Sequence, residues 1–280
     1  MLNTRKNTPI TNYNKSMKWK FYQPIFEYEE MYLDLGGPWF GHKYFAYDLI
    51  QNIRPKKVVE LGTHLGCSLF SFSQAIKDSK LNTSIDAVDT WLGDEHAGDY
   101  SEIIINKVKE IKNKYYSKLK IKLLRKTFDQ ANQKYPDNSI DILHIDGYHT
   151  YEAVKHDYDM WFDKVKEDGI ILLHDSAVKD SNFGIHKLLK QIKKDYKIIE
   201  FPHSYGLGVV FKSAKTYYDI SSLLPLLTLY YDELSQKKQL KWKLNQKKIT
   251  LNKYKRSDKN IIIPAHKISK IVKIIKQSKL

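Results

Sequence analysis

Two short stretches hold the residues best suited to chemistry. Leu143-His144-Ile145-Asp146-Gly147-Tyr148-His149 and Leu172-Leu173-His174-Asp175-Ser176 each run from apolar residues into an acid with histidine close by. If the two stretches are neighbouring strands, their tips bring Asp146 and Asp175 together. Oxygen donors meeting this way suit a hard divalent ion such as Mg²⁺. Adding His174 or His149 extends the choice to Mn²⁺ or Fe²⁺. The same groups can move protons, with His149 as the candidate general base and Asp146 as the nearby acid. The plainer reading is that the two acids only cap helices or turns.

A third stretch, Val58-Val59-Glu60-Leu61-Gly62-Thr63-His64-Leu65-Gly66-Cys67-Ser68, is an apolar run that ends in an acid and two glycines before a helical pattern begins. This is the signature of a strand, a tight turn and a helix. Gly62 permits a sharp turn or positive φ, and Gly66 lets a ligand approach the helix start. The spacing is not the G-x-G-x-x-G of a pyrophosphate-binding turn, and no phosphate-loop Lys-Ser/Thr pair follows. A ligand with a cationic or neutral centre fits better, and S-adenosylmethionine is one. Its contacts would come from Glu60, Gly62, Thr63, Gly66 and Ser68. Asp89, 27 residues after Gly62, ends the next apolar run and can accept hydrogen bonds from ribose hydroxyls. Thr90 follows it. Thr127 and Phe128 stand after a third run as an adenine shelf, and Asp146 borders the same crevice.

The elements that must position these groups alternate. Strands are expected at Lys57–Leu61, Ile85–Val88, Ile121–Leu124, Ile140–Ile145 and Gly169–Leu173, with a final pair at Lys197–Phe201 and Gly208–Phe211. Helices are expected at Tyr44–Ile53, Ser68–Lys77, Tyr100–Tyr116, Tyr151–Val165 (Thr150 as N-cap) and Phe183–Tyr196. Short apolar strands alternating with helices predict an α/β fold, a mostly parallel sheet covered on both faces. Carboxyl ends of such strands are where ligands bind. Residues 1–16 are polar and read as disordered. Residues 17–53 are rich in aromatics and read as an N-terminal cap that fills core, with some rings available to a cleft. Residues 54–213 form the α/β domain and 214–280 a basic helical tail. In that tail Tyr217–Leu251 reads as helix, Ser257–Asn260 as linker and His266–Leu280 as an amphipathic helix.

Composition narrows the class. Of the net charge of +15, +12 lies in residues 213–280, which hold fifteen lysines and one arginine against four acids. The body is nearly neutral, which argues against a nucleic-acid partner for the whole chain. A single cysteine, Cys67, excludes a disulfide framework and fits a reducing compartment. No signal peptide or membrane-length apolar run is evident, so a cytoplasmic protein, soluble or peripheral at the membrane, is expected. The lysine-rich tail could lie on an anionic membrane, dock a partner glycosyltransferase, or be a solvated helix.

The stretches Val58–Ser68, Val88-Asp89-Thr90-Trp91-Leu92-Gly93-Asp94-Glu95-His96-Ala97-Gly98, Leu143–Tyr151 and Leu173-His174-Asp175 resemble a class I S-adenosylmethionine-dependent methyltransferase. More closely, they resemble the branch that includes macrolide-sugar and aminocoumarin O-methyltransferases and cephalosporin-hydroxylase-like proteins, the methyltransferase family 24 type. The resemblance runs from about Gly36 to Phe211 and leaves out the tail. It implies a Rossmann-like sheet of seven strands, mostly parallel with the last antiparallel. It also implies S-adenosylmethionine on Glu60, Gly62 and Asp89, a divalent cation (Mg²⁺ or Mn²⁺) near Asp146, His174 and Asp175, and a sugar hydroxyl of a surface glycan or glycolipid as acceptor. Tyr148 and His174 stand where many relatives have acids. His96 in the Gly93–Gly98 loop, Tyr148 and His203 are the candidates for touching the acceptor. Two other readings remain: an RNA methyltransferase, and a non-catalytic scaffold holding a glycosyltransferase at the membrane.

Overall fold

The computed structural model describes residues 19–31, 37–94, 98–99, 102–180, 182–221 and 223–257. One sheet contains β1 (Lys57–Leu61), β2 (Ser84–Asp89), β3 (Lys120–Arg125), β4 (Ile140–Ile145), β5 (Val165–His174), β6 (Lys197–Phe201) and β7 (Leu207–Phe211). Their spatial order is 3-2-1-4-5-7-6. The first five strands are parallel, while β7 runs antiparallel to both β5 and β6. This is the expected Rossmann-like sheet, mostly parallel with an antiparallel last strand. A two-residue ladder pairs Gly93–Asp94 with Gly98–Asp99 outside it.

Among the described residues the sheet is flanked by α1 (Lys43–Ile53), α2 (Cys67–Asp78), α3 (Glu102–Tyr115), α4 (Phe128–Asn132), α5 (Tyr151–Phe162) and α6 (Ile185–Ile192), with two further helices after the last strand. Successive strand residues point to opposite faces. Val58, Ile142, Ile170, Leu172 and Val209 enter a core shared with α1 and α2. Val59, Leu143, Ile171, Leu173 and Val210 enter a second core against α5 and α6. The strand order turns at β1 and β4, so a crevice opens at their carboxyl ends.

Element edges differ from expectation for local reasons. The chain after α5 re-enters the sheet at Val165, which shortens the helix to Phe162 and lengthens β5. α6 starts only at Ile185, after Gly184, which lies against the Tyr151 backbone so that an added Cβ would come within 2.1 Å. Thr150 caps α5 as anticipated, accepting from the Ala153 N–H at 3.3 Å.

The aromatic segment fills core. Trp19, Phe26, Tyr28, Trp39, Phe40, Tyr44 and Phe45 are buried. The expected tail helix is two helices, α7 (Ala214–Ser221) and α8 (Leu224–Ser257). Pro225 sits in the first turn of α8, where its missing N–H costs nothing. Leu227, Tyr231 and Ser235 anchor α8 in the core. The Tyr231 hydroxyl accepts from Trp19 Nε1 at 3.1 Å and donates to Asp48 Oδ2 at 2.6 Å. Burial pushes Asp48 up to about 7, against the lowering effect of the hydrogen bonds from the Tyr231 hydroxyl and the Tyr22 N–H. No helix among the described residues is long and apolar enough to cross a membrane. Residues 1–16, the 257–260 linker beyond Ser257, and the 266–280 helix with its expected membrane or partner contact lie outside the described residues.

Candidate active site

The crevice begins with a glycine that cannot be replaced without strain. Gly62 has φ +86°, and a Cβ there would lie 1.9 Å from the Asp146 carbonyl oxygen. The close approach joins the tips of β1 and β4, where the Asp146 N–H donates to the Leu61 carbonyl at 2.8 Å. Gly66 has a different task from the one its spacing suggests. It starts α2 at φ +82°, and an added Cβ would meet the Phe70 ring rather than open space.

A cavity of about 500 Å³ runs along the carboxyl edge of the sheet. In strand order its wall passes from Thr127 and Phe128 after β3, through Asp89 and Thr90 after β2, to Gly62, Thr63 and Ser68 after β1. It continues to Asp146, Tyr148 and His149 after β4 and to His174 and Asp175 at the tip of β5. Trp39 and Phe40 of the cap also line it. The volume suits a nucleoside-sized ligand.

In the β1–β3 half, Glu60 lies behind the wall and is fully buried. Its Oε1 accepts from Ser68 Oγ and, at 3.2 Å, from His144 Nδ1. Its Oε2 has no hydrogen-bond partner among the described residues, and neither has the buried Thr63 Oγ1. Buried polar atoms are costly when unpaired; of these two residues Thr63 lines the cavity and Glu60 stands directly behind it. Asp89 does more than face a ribose. Its Oδ2 accepts from the Thr63 and His64 N–H groups, both at 2.9 Å, and its Oδ1 from the Trp91 N–H at 2.6 Å. It braces the glycine turn first and retains acceptor capacity mainly on Oδ1. Thr127 forms a capping box with Gln130 at the start of α4. This fixes Phe128, whose ring lies against Gly147 so closely that a Cβ there would come within 2.5 Å.

In the β4–β5 half, one donor atom each from Asp146, His149 and Asp175 lie within 4.8 Å of one another. His149 Nε2 is 3.1 Å from Asp175 Oδ2, and the His149 ring stacks on Phe183 at 4.9 Å. The third donor of this group is His149, not the His174 expected as a metal ligand. Both His174 nitrogens are engaged: Nδ1 with Asp146 Oδ1 at 3.2 Å and Nε2 with the Ser204 carbonyl at 3.2 Å. Burial opposes its charge, but the fields and hydrogen bonds of Asp146 and Asp175 win and raise its pKa. Burial likewise opposes ionisation of Asp146, and the field and hydrogen bond of His174 hold the carboxyl well below the usual range. The pair is an imidazolium–carboxylate brace, and His174 is not among the three grouped donors.

One of the expected acceptor contacts is not brought to the wall. His203 packs on His42 with ring centroids 4.6 Å apart, behind the cavity, and burial lowers its pKa. His96 lies outside the described residues. Trp39, Phe40, His64, Leu65 and Cys67 line the cavity beyond what the sequence assigned. For Trp39 and Phe40, the Gly36-Gly37-Pro38 break beside them was the available signal.

Residues 59–176 match a family described as a methyltransferase domain. A curated relative, the uncharacterised protein y4gI of Sinorhizobium fredii, is 39% identical over 180 residues, 64% of this chain. The chain spans about a fifth of that relative's length, the match covering 20% of it. Among solved structures, the O-methyltransferase TomG of Streptomyces achromogenes, in complex with SAM, is similar at TM-score 0.46 and 9% identity, over 61% of this chain and 78% of that one. The SAH-bound methyltransferase PaMTH1 of Podospora anserina is similar at TM-score 0.48 and 15% identity, over 61% and 77%. A methyltransferase from Geobacter sulfurreducens gives 0.47 and 13%, over 61% and 78%. Across the segment from Val59 to Ser176 the chain is similar to that methyltransferase-domain family.

Proposed function

We propose that the chain transfers a methyl group from S-adenosylmethionine to a hydroxyl oxygen, on a sugar of a surface glycan or glycolipid. The observation that carries this is the division of one cavity into two halves. One has the unpartnered buried Thr63 hydroxyl, with the unpartnered Glu60 Oε2 behind it, and the other has the His149–Asp175 pair. The cofactor supplies a methyl group on a cationic sulfur. Glu60, Thr63 and the Gly62 turn would hold its amino-acid end, Asp89 Oδ1 a ribose hydroxyl, and Phe128 the face of the adenine.

His149 would take the acceptor's hydroxyl proton, with Asp175 fixing its ring and stabilising the imidazolium that forms. His174 keeps Asp146 in place through Nδ1. Orienting the acceptor oxygen towards the methyl group supplies much of the rate. The aromatic rings of Trp39, Phe40 and Tyr148, beside groups that bind hydroxyls, suit a sugar acceptor.

A second reading rests on the same three groups. Asp146, His149 and Asp175 offer two carboxylates and an imidazole, a donor set suited to Mg²⁺ or Mn²⁺. A divalent ion there would lower the pKa of a hydroxyl bound to it. His149 cannot offer the same nitrogen to an ion and to a proton, so the two readings exclude each other.

The test is transfer of labelled methyl from S-adenosylmethionine to a panel of glycan acceptors, with and without EDTA. Methyl ether formation that survives EDTA supports His149 as base, and formation lost with EDTA and restored by Mg²⁺ or Mn²⁺ supports the ion. Absence of transfer to any hydroxyl acceptor, with transfer to a nitrogen or carbon acceptor instead, would overturn the O-methyl reading.

A further inference from the structure

A line of buried hydrogen bonds crosses from the N-terminal cap to the cofactor half of the cavity. Trp39 Nε1 lies 2.9 Å from His144 Nε2. An indole nitrogen only donates, so His144 Nε2 accepts and the imidazole proton sits on Nδ1. That proton points to Glu60 Oε1, 3.2 Å away. Ser68 Oγ donates to the same oxygen. Trp39 is 5% exposed, Ser68 4%, and His144 and Glu60 0%.

The two donors therefore converge on one carboxylate oxygen and leave the other, Oε2, buried and without a partner among the described residues. Glu60 has no lysine or arginine within ion-pair distance among the described residues. A buried carboxylate in that state gains most from a ligand that brings both N–H donors and positive charge. An ammonium group does so.

We propose that Trp39 and His144 are positioning residues for the cofactor. They lock Glu60 so that Oε2 is held for the α-ammonium group of S-adenosylmethionine. The assignment rests on the cofactor reading given above. Trp39 fixes the His144 tautomer, His144 and Ser68 occupy Oε1, and the carboxylate cannot rotate to offer either oxygen indifferently. Because Trp39 also lines the cavity, the same residue ties the seating of the cap to recognition of the cofactor's amino-acid end. The nucleoside end, held at Asp89 and Phe128, takes no part in this line.

The discriminating experiment compares two ligands of the full chain by calorimetry. S-adenosylhomocysteine carries the α-ammonium group, whereas 5′-methylthioadenosine has the same nucleoside without it. Trp39→Phe and His144→Leu are expected to weaken S-adenosylhomocysteine about tenfold, the scale of one buried hydrogen bond. They should leave 5′-methylthioadenosine unchanged. His144→Asn, whose amide N–H can still reach Oε1, should restore most of the affinity. A loss shared equally by both ligands, or no loss for either, would overturn the relay while leaving the cofactor reading intact. A wild-type chain that binds neither nucleoside would overturn both.

Discussion

The two halves of the cavity are built differently. Around the cofactor half, most contacts are made by residues close in sequence or by backbone groups: Ser68 on Glu60, the Thr63 and His64 amides on Asp89, and Gln130 on Thr127, with the line from Trp39 through His144 to Glu60 as the exception. Around the acceptor half, side chains meet from distant parts of the chain: His149 with Asp175, His174 with Asp146, and His174 with the Ser204 carbonyl. A ligand with one fixed shape can be held by a turn and its amides. A hydroxyl that must be oriented and deprotonated needs side chains with tuned neighbours. The cofactor half is thus a property of the fold, and the acceptor half a property of this chain.

The sharpest way to separate the halves is His149→Ala. Removing the base should lower kcat about 10²–10⁴-fold, with the affinity for S-adenosylhomocysteine unchanged in calorimetry. Equal losses in both would show that the halves are not independent. Gly62→Ala should break both at once, because its Cβ would strike the Asp146 carbonyl at the junction of β1 and β4. A positive-φ clash of this kind is expected to cost roughly 2–4 kcal/mol, read as a lower midpoint in urea unfolding.

Thr63→Val tests the cofactor half more gently. It replaces an unpartnered buried hydroxyl with an isosteric methyl. The cofactor's affinity should fall a few-fold, roughly the net value of one hydrogen bond, and the free protein should be no less stable. A clear loss of stability without ligand would mean that Thr63 is already satisfied in the fold.

The smallest effect is a change of slope with pH. Asp146 has a lowered folded pKa, so its contribution is present above the ordinary carboxyl value of 3.8 and is lost as pH falls below it. His174 has a raised folded pKa, so its contribution is full below the ordinary imidazole value of 6.5 and is lost as pH climbs towards the raised value. The thermal midpoint should therefore decline as pH rises above 6.5. His174→Gln should flatten that decline without changing cofactor affinity. An unchanged slope would remove the imidazolium–carboxylate brace from the acceptor half.

Much of this difference was already written in the sequence, but unevenly. The β1 strand, the Gly62 turn and the alternation through β5 follow from hydrophobic period and glycine placement, which are local signals. The junction of Asp146 and Asp175 also follows, because acids at the ends of two apolar runs must meet if the strands are neighbours. His174 and His149 could not be told apart. Each sits beside an acid, and only the direction of each ring decides which one faces the cavity. His203 read as a residue within reach of the acceptor, yet its turn carries it behind Trp39 onto His42. Trp39 read as core filler and is buried as such, but its indole proton reaches a strand residue 105 positions away. No local pattern encodes a contact of that kind. The tail boundary had a similar origin: charge marks where the chain turns basic, whereas Leu227 and Tyr231 of α8 still belong to the core.

Calorimetric titration of S-adenosylhomocysteine into the wild-type chain, Glu60→Gln and Asp175→Asn tests the central claim most directly. The account predicts binding to the wild type, equal binding to Asp175→Asn, and affinity about tenfold weaker or worse in Glu60→Gln. Binding that is lost in Asp175→Asn and kept in Glu60→Gln would contradict it.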